Sequence, residues 1–178
     1  MPLYSFQGKT PKLGKNVYIA PSAQVIGDVE IGDDSSVWFN SVIRGDMYPI
    51  RIGARVNIQD GAVVHVTGGI AETHVGDDVT VGHLALVHGC TVGRRCLIGM
   101  GSIILDNAVI GDECIVAAGS LVTPRTQFAN RSFVKGSPAK LWRPVTDDDL
   151  LQVDGGVMAY REYAKIFMSD DVKLIPGT

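Results

Sequence analysis

The sequence predicts an all-β solenoid, a triangular prism of about six coils over residues 1–144, followed by a C-terminal α-helix and tail over residues 145–178 packed on the prism. Three observations carry this. An aliphatic residue returns at nearly every sixth position eighteen times, from Leu13, Ile19, Val25 and Ile31 through Ile104, Ile110, Val116 and Val122. A small or β-branched residue follows four positions later in most copies, as at Val17, Ala23, Ala62, Ala85 and Ser102. Glycine often follows the aliphatic directly, as at Gly14, Gly32, Gly53 and Gly93. A period of six matches neither a helix nor an ordinary alternating strand. Each hexapeptide is a short strand and a turn that cannot bury its own aliphatic side chain. Stacked copies enclose one core, and three copies close one coil.

Three spacings break the period. Ile43 to Ile52 is nine residues, Val64 to Val75 is eleven, and Val87 to Val92 is five. Residues inserted into a repeat become loops on one face, often the functional one. All three breaks fall in the middle coils, and so do all four histidines.

The repeats end at the turn Gly136-Ser137-Pro138-Ala139. Thr146 then supplies an N-cap and Asp147-Asp148-Asp149 an acidic first turn. Leu150, Leu151, Val157, Tyr160, Ala164 and Phe167 form a helical stripe suited to one prism face, and Gly155-Gly156 is expected to break or kink it. The last ten residues read as a tail.

At 178 residues the chain is one domain with a sizeable core. A net charge of −3 without a basic cluster argues against a nucleic-acid partner. No apolar run approaches the roughly 20 residues of a membrane span. Met1–Gly8 has no signal-peptide pattern, so a cytoplasmic location is expected. Cys96 and Cys114 share the small inward slot eighteen residues apart and read as stacked, reduced core thiols. With no Cys-x-x-Cys, a thiolate metal site is not expected.

The period also assigns polar residues to columns. Ile43, Val64 and Val87 head one side in three successive coils, so Arg44, His65 and His88 stack at about 4.8 Å intervals. Two imidazoles so placed can reach one tetrahedral metal, because Zn–N bonds of about 2.0–2.1 Å leave ligand nitrogens a little over ~3 Å apart. On the preceding side, Ile58 and Val81 stack Asp60 on His83, with Gln59 beside Asp60. His83 and His88 lie on different sides of one coil and point apart. A neighbouring prism could bring its His83 to the His65–His88 pair, and cyclic threefold association would repeat that site three times. Three histidines with an open fourth position are the geometry of catalytic zinc. An outward histidine on a solenoid is ordinarily mere surface. Three of four in matching columns beside the period breaks favour a metal instead. His74 fits no column and is assigned to the surface at its loop's end.

These residues carry a resemblance. Arg44-Gly45-Asp46, Asn57-Ile58-Gln59-Asp60-Gly61, His65 and Gly82-His83-Leu84-Ala85-Leu86-Val87-His88-Gly89 together resemble the gamma-class carbonic anhydrase family, across about the whole prism and the following Gly-Ser-Pro-Ala-Lys turn. The resemblance implies a left-handed parallel β-helix, a homotrimer, and reversible hydration of carbon dioxide to bicarbonate at a zinc ion between subunits, with iron or cobalt as other metals that accept three imidazoles. It makes His65 and His88 ligands from one chain and His83 the ligand from the next. Gln59 would position the metal-activated water. Arg44, Asp46 and Asp60 would form an interface network that orients the site and contacts bicarbonate.

The chain departs from the archetype after Arg44-Gly45-Asp46. Met47 stands where a glutamate would follow, and Val66–His74 replaces a long acidic loop. Fast hydration needs a proton route; Glu72 and His74 are the candidates left to supply it. Two other functions fit the same prism. One is a hexapeptide acyltransferase using CoA thioesters, with one histidine as general base. The other is a catalytically weak, metal-stabilised trimer serving as a binding or assembly module.

Overall fold

The computed structural model describes residues 2–169 and 171–172, so most of the expected tail lies outside the described residues. The chain forms a parallel β-solenoid of seven turns with one C-terminal helix. On the first face Leu3, Val25, Ile43, Val64, Val87, Ile104 and Val122 stand in register. Leu13, Ile31, Ile52, Val75, Val92, Ile110 and Phe128 line the second face. Ile19, Val37, Ile58, Val81, Ile98, Val116 and Val134 line the third. The turn beyond the expected six comes from Leu3, Phe128 and Val134. Leu3 stands ten residues before Leu13, and an aromatic at position 128 interrupts the aliphatic run. An antiparallel hairpin, Ser132–Gly136 with Ala139–Pro144, closes the last coil. Cys96 and Cys114 are buried in adjacent coils, with the Cys114 N–H directed at the Cys96 sulfur at 3.4 Å.

The helix Asp147–Met168 lies along the third face with Thr146 in a reciprocal capping box with Asp149. At one end Tyr160 and Phe167 pack edge-on against Trp38, beside Tyr18 and Phe39. At the other, Leu150 and Val153 are buried with Ile115 and Val145. The glycine pair expected to break the helix lies within it. Each glycine costs about 1 kcal/mol of helix propensity, and packing at both ends overrides that deficit. Among the described residues no helix is long and apolar enough to cross a membrane.

The edge between the second and third faces follows its own rule. Asn16, Asp34, Arg55, Asp78, Arg95, Glu113 and Arg131 occur once per turn there, each with positive φ. Left-handed backbone is ordinarily left to Gly, Asn and Asp. Here it is adopted by a column whose charges alternate from Asp34 onward. Asn16 donates to Asp34 at 3.1 Å, Arg55 to Asp78 at 2.6 and 2.7 Å, and Arg95 to Glu113 at 3.1 Å. The helix presents charges to this column at seven-residue intervals. Asp147 accepts from Arg131 at 2.5 Å, Asp154 from Arg95 at 2.7 and 2.9 Å, and Arg161 reaches Asp34 at 3.4 Å. Seven helical residues rise about 10.5 Å, close to the roughly 9.6 Å of the two coils between Arg131 and Arg95. From Arg95 to Asp34 is three coils, about 14.4 Å, and the long Arg161 side chain spans the excess to reach Asp34 at 3.4 Å.

These pairs give the docked helix an acid limit. Hydrogen bonds from Arg95 hold the Asp154 carboxyl below the usual range, and those from Arg143 and Thr146 do the same for Asp149. A carboxyl depressed on folding contributes stability above its unfolded pKa of about 4, and loses it as pH falls through the folded value. Acid titration is expected to leave hydrogen-exchange protection of the helix intact above about pH 4. Below that, protection should fall in the helix before the central coils. Loss in both at one pH would show that these pairs do not govern docking.

Candidate metal centre

His65 ends the strand Val63–His65 and His88 ends Leu86–His88, and the two stand directly opposite in adjacent coils. His65 Nδ1 lies 3.1 Å from His88 Nε2. Each outer ring nitrogen meets a carboxylate. His65 Nε2 is 3.1 Å from Asp46 Oδ1, and Asp46 is also paired with Arg44. His88 Nδ1 is 2.6 Å from Asp106 Oδ1, whose other oxygen accepts from the Thr67 hydroxyl at 2.7 Å. A carboxylate takes the N–H of a neutral imidazole, so both tautomers follow from these partners. With those tautomers the two inner nitrogens face each other lone pair to lone pair, a repulsive contact that a shared cation would relieve. The 3.1 Å separation is near that of two ligands on tetrahedral zinc.

Charge states agree. Burial pushes His65 down from its ordinary value, only partly countered by Asp46. Burial opposes ionisation of Asp46 and Asp106, yet both lie below the usual carboxylate range. Hydrogen bonds from Arg44 and His65 outweigh it for Asp46, and those from Thr67 and His88 for Asp106.

All three broken repeats build this arrangement, the nine-residue spacing by carrying Arg44 and Asp46. In the eleven-residue spacing, fully buried Thr73 donates to the His65 carbonyl at 2.6 Å and accepts from the Gly89 N–H at 2.9 Å, tying the two histidine coils together. In the five-residue spacing, Gly89 has φ +56°, and a Cβ there would lie 2.4 Å from Asp106 Oδ1. Without a side chain at Gly89, Asp106 can sit beneath His88.

The other expected residues gather elsewhere. His83 Nδ1 is 3.0 Å from Asp60 Oδ2, and its Nε2 is 3.3 Å from the Tyr160 hydroxyl of the helix. Gln59 donates to Asn57 at 3.0 Å, and Asn57 to Thr80 at 2.8 Å. Among the described residues, no three His, Cys, Asp or Glu side chains converge on one metal position within the chain.

Within the chain Asp60 pairs with His83, and Arg44, its side chain 41% exposed, pairs with Asp46. One expectation changes. His74 does have a column, standing in Thr73–Val75 between Arg51 and Thr91 on the second face. It pairs there with exposed Glu72 at 2.9 Å, away from the His65–His88 face.

Asp106 and Tyr160 were not among the expected site residues. Asp106 had a signal, since it lies eighteen residues after His88, one coil on. Tyr160 had none, because its place depends on how the helix docks. Asp106→Asn keeps the shape and removes the charge that orients His88. Metal affinity is expected to fall about 10- to 100-fold, the usual cost of losing such a partner. Competition with a chelator measures it, and unchanged affinity would mean that Asp106 does not orient the ligand.

The bacterial transferase hexapeptide family (six repeats) matches residues 10–45 and 89–124. Gamma carbonic anhydrase 2, mitochondrial, of Arabidopsis thaliana is 42% identical over 170 residues, 93% of this chain and 61% of that protein. The chain thus spans less than two thirds of that relative's length. A carbonic anhydrase of Geobacillus kaustophilus is 43% identical over 152 residues, 85% of this chain and 83% of the relative. A Bacillus cereus crystal structure described as that of an acetyltransferase superposes with a TM-score of 0.90 at 39% identity, covering 93% of this chain and 95% of the other. With the repeats, the histidine columns and these relatives in agreement, the chain belongs to the gamma-class carbonic anhydrase family of hexapeptide-repeat proteins.

Proposed function

We propose that this chain is the subunit of a metal-dependent homotrimer that interconverts carbon dioxide and bicarbonate. The observation that carries the proposal is the pair of ring nitrogens, His65 Nδ1 and His88 Nε2, 3.1 Å apart, with a carboxylate on the other nitrogen of each ring. His83 of a neighbouring copy supplies the third ligand in this reading. In the single chain, Tyr160 occupies His83 Nε2, and that hydrogen bond must be given up for His83 to bind metal. The surface around the pair suits a second copy. The helix covers the third face, whereas the first presents an outward apolar row, Val42, Val63, Leu86, Ile103 and Leu121. Closed cyclic association buries such a row.

Zinc is the proposed metal, with iron or cobalt compatible with the same imidazoles. When bound, the metal supplies Lewis acidity that brings the pKa of its water near 7. The chain's residues do the rest. Asp46 and Asp106 hold the two tautomers, Arg44 offers its exposed guanidinium to the bicarbonate anion, and Gln59 orients the reacting water through its amide. The exposed Glu72–His74 pair exchanges protons with solvent.

Acyl transfer from a CoA thioester is the second reading, favoured by the description of the Bacillus cereus structure. One set of measurements separates the two: metal per subunit, stopped-flow carbon dioxide hydration, and titration with acetyl-CoA. The proposal expects one metal per subunit, hydration above the buffer rate and no acetyl-CoA binding. Acetyl-CoA binding by metal-free protein without hydration would overturn it.

A further inference from the structure

We propose that the slot between the helix and the third face is a binding site for an uncharged small molecule, with an apolar body and one amide or hydroxyl head. This goes beyond the metal centre, whose His65–His88 pair lies on the first face; the two share Gln59, which stands at the polar end of the slot. The slot, open to solvent along one side, has a volume of about 530 Å³, within the range of ordinary ligand pockets.

The sequence explains the space. Outward positions following the third-face aliphatics are, coil by coil, Ala20, Trp38, Gln59, Gly82, Gly99, Ala117 and, in the last coil, Lys135. Trp38 fills its level and carries the aromatic end of the helix. At Gly82, Gly99 and Ala117 the floor drops, and opposite them the helix has Gly156. A Cβ on Gly156 would meet only Thr80 Oγ1, at 3.9 Å. Small residues on both surfaces thus hold apart two elements that are pinned at each end. Leu97, Ile115 and Phe133 wall the space.

One end of the slot is polar. Gln59 and Thr80 line it and are each 5% exposed. Gln59 spends an N–H on Asn57, and Asn57 spends an N–H on the Thr80 oxygen. Among the described residues, the Gln59 carbonyl oxygen has no donor and the Thr80 hydroxyl hydrogen no acceptor. Both groups line the open space of the slot, so this end offers an acceptor beside a donor, complementary to an amide or alcohol. No charged side chain lines the slot. Burying an anion there would lack any compensating partner, which disfavours carboxylates and phosphates.

Benzamide is a suitable probe and benzoate its charged control. Titrations of the metal-loaded protein, followed by the methyl resonances of Met100 and Ile115, are expected to saturate with benzamide. Benzoate should bind at least tenfold more weakly. Gly156→Leu raises helix propensity while filling the slot, so melting temperature should hold or rise as benzamide affinity falls at least tenfold. Ala117→Leu fills the slot from the other side and should act alike if Gly156→Leu misfolds. Equal binding of both probes, absence of saturation, or full affinity in a folded filled variant would overturn the proposal. Because the readout is binding, it does not depend on whether the protein hydrates carbon dioxide.

Discussion

Replacing His88 by alanine is expected to abolish carbon dioxide hydration while leaving the solenoid folded. The side chain points out of the prism, and the core residue of its repeat, Val87, is untouched and fully buried. The fold therefore loses little beyond the contact with Asp106. The site loses one of the two nitrogens fixed 3.1 Å apart, and the Asp106 carboxylate is left without its imidazole partner. A metal held by three protein ligands would keep two. Loss of an orienting partner alone costs about 10- to 100-fold, so loss of a ligand should cost more than about 100-fold in affinity and rate. Metal content and stopped-flow hydration, compared at equal circular dichroism, check this. Rates equal to those of the parent would end the catalytic reading, because among the described residues no other imidazole stands beside His65.

The largest effect on stability is expected from Ile98→Ala. Ile98 is fully buried on the third face in the middle of the stack, between Val81 and Val116. Truncating a core isoleucine to alanine costs about 2–5 kcal/mol, the larger values where the cavity cannot close. Collapse is difficult here, because the coil spacing is set by backbone hydrogen bonds above and below. For a chain of this length each kcal/mol lowers Tm by about 2–4 °C, so a fall of roughly 5–20 °C is expected. A solenoid's stability is close to a sum over neighbouring repeats. Leu13→Ala, near the open first end and only partly buried, should therefore cost markedly less. Equal losses at the two sites in thermal melts would mean that the prism unfolds without regard to position along its axis.

The six-residue period made most of this legible, because every core position repeats one physical requirement. The stacking of His65 on His88 and of Asp60 on His83 followed from counting alone. What escaped counting depended on contacts between unlike elements. Leu3 and Phe128 were hidden by irregular spacing and by an aromatic in an aliphatic slot. Asp106 stands one coil from His88, but a carboxylate on a solenoid surface is common, and its role shows only in the 2.6 Å contact with the imidazole. Gly155 and Gly156 were misjudged by local propensity, since the prism supplies the rigidity that an isolated helix would lack. Tyr160 reaches His83 through a docking geometry that no pattern within the helix encodes.

The alternating edge acts as a parity check on assembly. In the observed placement Asp147 meets Arg131, Asp154 meets Arg95 and Arg161 meets Asp34. A slip of one coil toward the first turn would set Asp147 against Glu113 and Asp154 against Asp78, and leave Arg161 facing uncharged Asn16. Two mismatches of like charge would arise together. Exposed pairs individually contribute little, about 0–1 kcal/mol. Their joint sign change makes odd slips unfavourable out of proportion to what any one pair contributes to stability. A helix donated by a second copy would face the same test, so only an even displacement would be tolerated. High salt, by screening charges beyond about 3 Å at molar strength, would erase the check while leaving the aromatic and aliphatic anchors in place.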